Sequence, residues 1–316
     1  EVKSLADARE GDIVVFDLFG NEVIEPNTLK NKYIIPPFSI FDTASGDWQN
    51  RKNKWKSLGI ESEIGRSATT YNFKDWTDKK REQGLKGHNL PSDTSIFDPV
   101  LCEIIYNWFV PKNGKILDPF AGGSVRGVVA NYLGYNYTGI DLSGEQIYAN
   151  KEQAKKIIPN NVPNWICGDS NYVLESLLPS IKNYLVDFIF SCPPYYNLEV
   201  YSDDDSDLST MNDDDFDVVY KSIIKKSCSF LKENRFACFV VGNVRDKNGY
   251  MRDLVGLTIQ AFKESGVYFY NDIILKNAAA SASMRANGNM TYKKVVKIHQ
   301  NVLVFCKGNP KKYNNP

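Results

Sequence analysis

Four consecutive residues, Cys192-Pro193-Pro194-Tyr195, close an apolar run that begins at Leu185. Two prolines in succession donate no backbone hydrogen bond and fix their own φ, so neither strand nor helix continues through them. Such a turn either stops a strand or holds chemical groups rigidly at its edge. Other stretches carry residues of similar promise. Asp118 ends "KILD" and leads through Phe120 and Ala121 to Gly122 and Gly123. Glycines there let the backbone approach a ligand, and the first amides of the following helix are free to bind it. Asp141 closes "YTGID" roughly twenty residues later, an offset at which a carboxylate accepts from both hydroxyls of a ribose. Asp169 closes "NWICGD". A glycine turn alone is a weak signal, and an isolated Asp is more often a helix cap. Successive strands that all end this way are a stronger joint signal.

Those residues need a scaffold. From about Lys115 onward, apolar strand-like runs alternate with amphipathic helical ones: "GKILD", then "SVRGVVANYLG", then "YTGIDLS", then "GEQIYANKEQAKKII", and so on to "FACFVVGNV". Repeated strand, helix, strand implies a parallel sheet covered on both faces, with its ligand crevice at the carboxyl ends of the strands. The last strands, "VYFYNDIIL" and "QNVLVFCKG", have only a loop between them (residues 277–297), so they are expected to pair antiparallel at one edge. The expected fold is α/β: a doubly wound, mostly parallel seven-stranded sheet over residues 94–316. Residues 1–93 lack steady periodicity and read as an irregular N-terminal extension. Trp48, Trp55 and the basic residues around them could read DNA from it.

The 316-residue chain carries 38 basic and 38 acidic residues, so no basic excess announces a nucleic-acid partner. The charges are nevertheless uneven, with "RKNKWK" and "YKKVVK" basic and 202–217 acidic. No apolar run is long enough for a bilayer and no signal peptide is apparent. The chain begins at Glu1, which points to an upstream segment having been removed. Six scattered cysteines without metal-ligand spacing, and His88 and His299 alone, argue against zinc. Most of the cysteines lie in apolar runs and read as buried, reduced thiols of a cytoplasmic protein.

At this point "DPFAGG" and "CPPY" together resemble the S-adenosylmethionine-dependent DNA methyltransferases of bacteria and phages that modify exocyclic amino groups. Their glycine motif commonly reads D-P-F-x-G-S/G-G. Their catalytic motif is Asp, Asn or Ser followed by Pro-Pro and an aromatic. The preceding "TSIFDPVLCEIIYNWFVPKNGKILDPF" is similar to the family segment that closes over the methionine end of the cofactor. The resemblance covers residues 94–308 and implies a Rossmann-like class I methyltransferase fold with S-adenosylmethionine as cofactor.

It also implies roles. Phe97, Asp98, Asp118, Phe120, Ala121, Gly122 and Gly123 would cradle the methionine part. Asp141, with Leu142, would hold the ribose hydroxyls, and Asp169, with Ser170, the adenine amino group. Tyr195 would stack on a base flipped out of duplex DNA, while Cys192, Pro193 and Pro194 orient its amino group. Adenine N6 is favoured slightly over cytosine N4. Cys192 departs from the family pattern, and a thiol is a weak acceptor, so Ser191 or backbone carbonyls could carry that orientation. Cytosine-C5 enzymes use a nucleophilic cysteine after a proline; here the order is Cys-Pro-Pro, which disfavours covalent catalysis. Rival readings are a methyltransferase acting on RNA or a protein amide, and a catalytically idle nucleic-acid-binding module. An upstream domain or a restriction nuclease would be the natural partner protein.

Overall fold

The computed structural model describes residues 13–16, 22–25, 28–60, 97–198, 204, 206–278 and 282–313. The chain divides into two compact units, residues 1–38 and 39–316. In the first, β1 (Ile13–Phe16) and β2 (Glu22–Glu25) pair antiparallel. A short helix, α1 (Leu29–Tyr33), follows them, its first turn capped by the Thr28 hydroxyl.

The second unit begins with β3 (Ile40–Asp42) and α2 (Gly46–Ser57). It continues through α3 (Pro99–Phe109), β4 (Lys115–Asp118), α4 (Val125–Tyr132), β5 (Asn136–Asp141), α5 (Gly144–Ile157) and β6 (Asn164–Cys167). Then come α6 (Ser170–Leu177), β7 (Val186–Ser191), α7 (Asp213–Phe230) and β8 (Leu231–Val241). A small ribbon of β9 (Val244–Arg245) and β10 (Met251–Arg252) precedes α8 (Leu254–Glu264). The chain ends with β11 (Val267–Lys276), α9 (Ala282–Thr291) and β12 (His299–Lys307).

The sheet order is β3-β11-β12-β8-β7-β4-β5-β6. Only β12 runs against its neighbours. This is the expected doubly wound, Rossmann-like α/β fold. The chain lays β4, β5 and β6 outward, then returns to place β7 and β8 on the other side of β4. Such a reversal opens a crevice at the carboxyl ends of β4 and β7.

Alternation along the strands fills both faces, because successive side chains point to opposite sides. On β7, Phe188 and Phe190 meet Tyr106 of α3, and Phe188 also meets Phe109. Ile189 between them belongs instead to the cluster formed with Phe216, Tyr220 and Ile224 of α7 and Phe262 of α8. Helix starts are capped as the sequence dictates: Asp98, Ser143, Asp169, Asn212 and Asp253 each accept from an amide of the first turn. Three aspartates, Asp213, Asp214 and Asp215, sit in the first turn of α7, where the helix dipole favours them.

Three expectations change. The seven anticipated strands are joined by an eighth, β3, from within the segment read as irregular; it pairs with Ile274, Leu275 and Lys276 of β11. Trp48 and Trp55 are 2% and 5% exposed. Their indole N–H groups donate to Asp98 at 3.1 Å and Glu103 at 2.8 Å, so they bind α2 to α3 and present no face to DNA. The connection read as a loop between the last strands contains α9. Among the described residues no helix is long and apolar enough to cross a membrane.

Candidate active site

The glycine turn after β4 is organised from beneath by Asp118, whose side chain is fully buried. Oδ2 accepts from Arg126 Nε at 2.6 Å and from the Tyr137 hydroxyl at 2.7 Å. Oδ1 accepts from the Ser191 hydroxyl at 2.5 Å and the Phe120 amide at 3.2 Å. Burial works against the Arg126 cation, but Asp118, Tyr137 and Cys192 together outweigh it and raise the pKa, so the guanidinium stays charged. It also donates to the carbonyls of Phe120 and Ala121 at 2.6 and 2.7 Å, and lies over the Phe97 ring at 4.6 Å. Burial, then Asp118, push the Tyr137 hydroxyl well above the usual range and keep it a donor.

Asp118 therefore does not face the rim. The expectation that its carboxylate touches a cofactor gives way to a positioning role. Asp98 is similarly committed, to the Val100 amide at 2.9 Å, Trp48, and Lys52 at 2.9 Å.

The other acids reach the rim. Asp141 is half-buried; its two oxygens accept from the amides of Gly122 and Ser143, each at 2.8 Å. Gly122 has φ +52°, the left-handed region where glycine avoids the cost of a Cβ. Ala121 is anchored through its amide to the Ile140 carbonyl at 3.0 Å. Leu142 and Gly123 are half-buried beside them. At the end of β6, the Gly168 amide donates to the Asp141 carbonyl at 2.9 Å. Asp169 caps α6 with one oxygen, at 2.7 Å from the Asn171 amide; its second makes no hydrogen bond among the described residues. The Ser170 hydroxyl crosses back to the Pro119 carbonyl at 2.5 Å.

The diproline elbow stands directly against this turn. Ser191, the last residue of β7, is fully buried. It donates to Asp118 and accepts from the Phe120 amide at 3.2 Å. Its hydroxyl is thus not free to orient an acceptor. Pro193 is buried, and Cys192, Pro194 and Tyr195 are half-buried. The Tyr195 hydroxyl donates to the Val240 carbonyl at 3.3 Å and accepts from Gln300 Nε2 at 3.0 Å, with Cys192 Sγ at 3.9 Å. Burial, then Cys192, push that hydroxyl well above the ordinary tyrosine range, so it remains a donor.

Tyr196 holds a left-handed φ of +53°, a strained conformation for a residue with a Cβ. It is secured by stacking on Phe216 at 4.2 Å, by a hydrogen bond to Asp217 at 3.0 Å and by Arg252 over its ring. Asn197 accepts from Arg252 at 2.7 Å. Glu199 and Tyr201, which follow the elbow in sequence, lie outside the described residues.

Phe97, Phe120, Ala121, Gly122, Gly123, Asp141, Leu142, Asp169 and Ser170 thus line or support one rim with the elbow. Sequence reasoning missed Arg126, Tyr137 and Gln300. Arg126, eight residues after Asp118, was visible in the motif; Gln300 carries no local signal. All six cysteines are free thiols, and Cys102, Cys228, Cys238 and Cys306 are buried. Among the described residues no cluster could hold a metal ion.

No family model matches the chain. An 81-residue stretch is 35% identical to the Type II methyltransferase M.HinfI of Haemophilus influenzae, covering 26% of this chain and 21% of that protein. Similar solved structures include magnesium protoporphyrin IX methyltransferase from Synechocystis, with bound S-adenosylmethionine (10% identity, TM-score 0.44, 75% of this chain and 93% of that one). Another is a putative RNA methyltransferase from Pyrococcus horikoshii (14% identity, TM-score 0.46, 82% of this chain and all of that one). The strand order and the rim geometry, rather than these distant likenesses, carry the description of the fold.

Proposed function

We propose that this chain is an S-adenosylmethionine-dependent methyltransferase acting on an exocyclic amino group of a base flipped from duplex DNA, with adenine N6 ahead of cytosine N4. One observation carries the reading most: Ser191 joins the diproline elbow to the glycine turn by hydrogen bonds of 2.5 and 3.2 Å at the sheet's switch point. A donor held by the turn and an acceptor held by the elbow would therefore be neighbours. The partial likeness to a Type II methyltransferase supports the same reading.

The rim fits the cofactor. Asp141 is a half-buried carboxylate held at the rim by two amides, placed where a carboxylate takes vicinal hydroxyls. Asp169 has an oxygen for an exocyclic amine, and Phe120 supplies a half-buried aromatic face. When bound, the cofactor supplies an electrophilic methyl group. The protein's own part is positioning and electrostatics. Tyr195, tied to Val240 and Gln300, offers a ring for the base to stack on. Backbone carbonyls of the Cys192-Pro193 segment accept amino protons, which favours a pyramidal nitrogen. With Ser191 committed to Asp118 and Cys192 a weak acceptor, those carbonyls carry the orientation.

Residues 94–316, completed by β3 and α2, hold this activity, and the remainder of the extension 1–93 stands as a candidate for DNA contact. A reducing cytoplasm suits the free thiols, and a nuclease partner suits the restriction-modification reading. The test is incubation with labelled S-adenosylmethionine and unmethylated DNA, RNA or protein separately, followed by mass spectrometry of the nucleosides. Labelled N6-methyladenine or N4-methylcytosine from DNA is expected. Label in RNA or protein alone moves the substrate class, and none anywhere leaves the idle binding module.

A further inference from the structure

The segment entering β12 passes over the carboxyl end of β8. There Lys297 Nζ lies 3.0 Å from the point a Cβ on Gly242 would occupy, and Tyr195 Cε2 lies 3.5 Å from that same point. One turn of the ribbon further out, Lys294 Nζ lies 2.9 Å from the corresponding point on Gly249, between β9 and β10. Two glycines thus make room for two lysines of "YKKVVK", the inner one beside the catalytic tyrosine.

Neither ammonium forms a hydrogen bond or ion pair among the described residues; Lys294 lies only over the Tyr292 ring, at 5.9 Å. Several cations elsewhere are answered by carboxylates: Lys52 by Asp98, Lys232 by Asp187, Lys276 by Asp42. Loss of surrounding water lowers the Lys297 pKa, the direction expected of a cation placed without a counter-charge. Tyr250, Met251, Tyr292 and Val295 are exposed on the same segments. Unanswered cations next to exposed aromatic and apolar side chains fit a polyanion that also carries bases.

We infer that Lys297 and Lys294 form the phosphodiester track of the acceptor strand, with Lys297 gripping a phosphate that flanks the everted nucleotide beside Tyr195. The inference rests on the proposed function and names the side from which the strand enters. Phosphate contacts of this kind fix register without reading sequence.

The test measures the salt dependence of duplex-DNA binding, by anisotropy of a labelled oligonucleotide, and of kcat/KM for methyl transfer to unmethylated plasmid DNA. Replacing Lys297→Gln should lower the slope of log affinity against log salt by roughly 0.9, one phosphate's share. At low salt it should weaken binding about five-fold, the upper end for an exposed ion pair. Cofactor affinity by calorimetry should stay at the wild-type value, and Lys297→Arg should restore the slope. Lys294→Gln should give a similar, separate decrement. Gly242→Ala, whose Cβ displaces only the flexible tip of Lys297, should mimic Lys297→Gln and add nothing to it. A wild-type slope in Lys297→Gln, with DNA methylation intact, overturns this inference and spares the proposed function. A wild-type protein that neither binds nor methylates DNA overturns both.

Discussion

Asp118 and Asp141 end neighbouring strands, yet their surroundings give them different work. Asp118 is sealed beneath the glycine turn with a buried guanidinium as partner. Removing one member of such a pair leaves the other charge uncompensated, at a cost of about 3–5 kcal/mol. Asp141 sits half-buried at the rim, where its oxygens accept from the amides of Gly122 and Ser143. Asp118→Ala should therefore lower the urea midpoint steeply and abolish cofactor binding together, because the turn loses its floor. Asp141→Ala should abolish cofactor binding with a much smaller change in midpoint. Calorimetry and urea unfolding on both variants check this, and tight cofactor binding by Asp141→Ala removes the ribose assignment. Tyr195 separates ring from hydroxyl in the same way. Tyr195→Ala should spare cofactor affinity and remove turnover. Tyr195→Phe keeps the ring, loses the bonds to Val240 and Gln300, and should cost about 1 kcal/mol of stability while most turnover survives. Full turnover by Tyr195→Ala refutes stacking. The motif residues were legible in the sequence because each sits at a strand end with its own turn chemistry. What they touch was not. Nothing local says that Ser191 points at Asp118, 73 residues away in the chain.

At the scale of elements, β7 couples the two halves of the sheet, and its amino end is stapled by Asp187. That carboxylate accepts from the Lys115 amide at 3.0 Å and from Lys232 at 2.8 Å, with Arg235 at 3.4 Å. Burial alone would raise its pKa; the Lys115 amide and the Lys232 cation outweigh burial and hold it below the usual carboxylate value. A folded-state pKa below the unfolded one, about 3.9, means the ionised form stabilises the fold. That contribution is fully present above about pH 4 and disappears as pH falls through the folded value. Asp187→Asn should accordingly be less stable than wild type at neutral pH, with the gap narrowing below about pH 4. Urea midpoints taken from pH 7 down to pH 3 test this, and a constant gap contradicts it. Elements with strong periodicity, from β4 to α8, were readable from sequence alone. β3 was not: three residues, Ile40, Phe41 and Asp42, hold no period, and they become a strand only because β11 offers an edge. α9 was hidden for a related reason. Its Ala, Ser, Asn and Gly residues give no apolar stripe, and Ala282 alone is buried.

For the whole molecule, a net charge of zero concealed an arrangement in which some cations answer carboxylates, as Arg126 does Asp118, and others, such as Lys294 and Lys297 beside the rim, do not among the described residues. Composition reports the sum, and function lies in the placement. The same holds for the boundary of the unit that contains the sheet. Irregular sequence before residue 94 looked separable, yet residues 39–60 belong to the sheet's own unit. Phe41, Trp48 and Trp55 are buried there, Phe41 packing edge-on against Trp108 at 5.6 Å. Arg51, Lys52 and both indoles supply the donors for Asp98 and Glu103. A chain beginning at Ser39 should therefore melt at nearly the temperature of residues 39–316 in the longer protein and keep its cofactor affinity. A chain beginning after Ile60 loses three buried aromatics, each worth about 1.5–3 kcal/mol, and strips the partners from two carboxylates. At about 2–4 °C per kcal/mol for a unit of this size, its midpoint should fall by on the order of 10 °C or more. Cofactor affinity should fall with it, because Asp98 caps the helix that carries Phe97 to Arg126. Thermal unfolding and calorimetry on the two shortened chains decide the matter. Equal midpoints would show that β3 and α2 merely decorate the sheet and do not complete it.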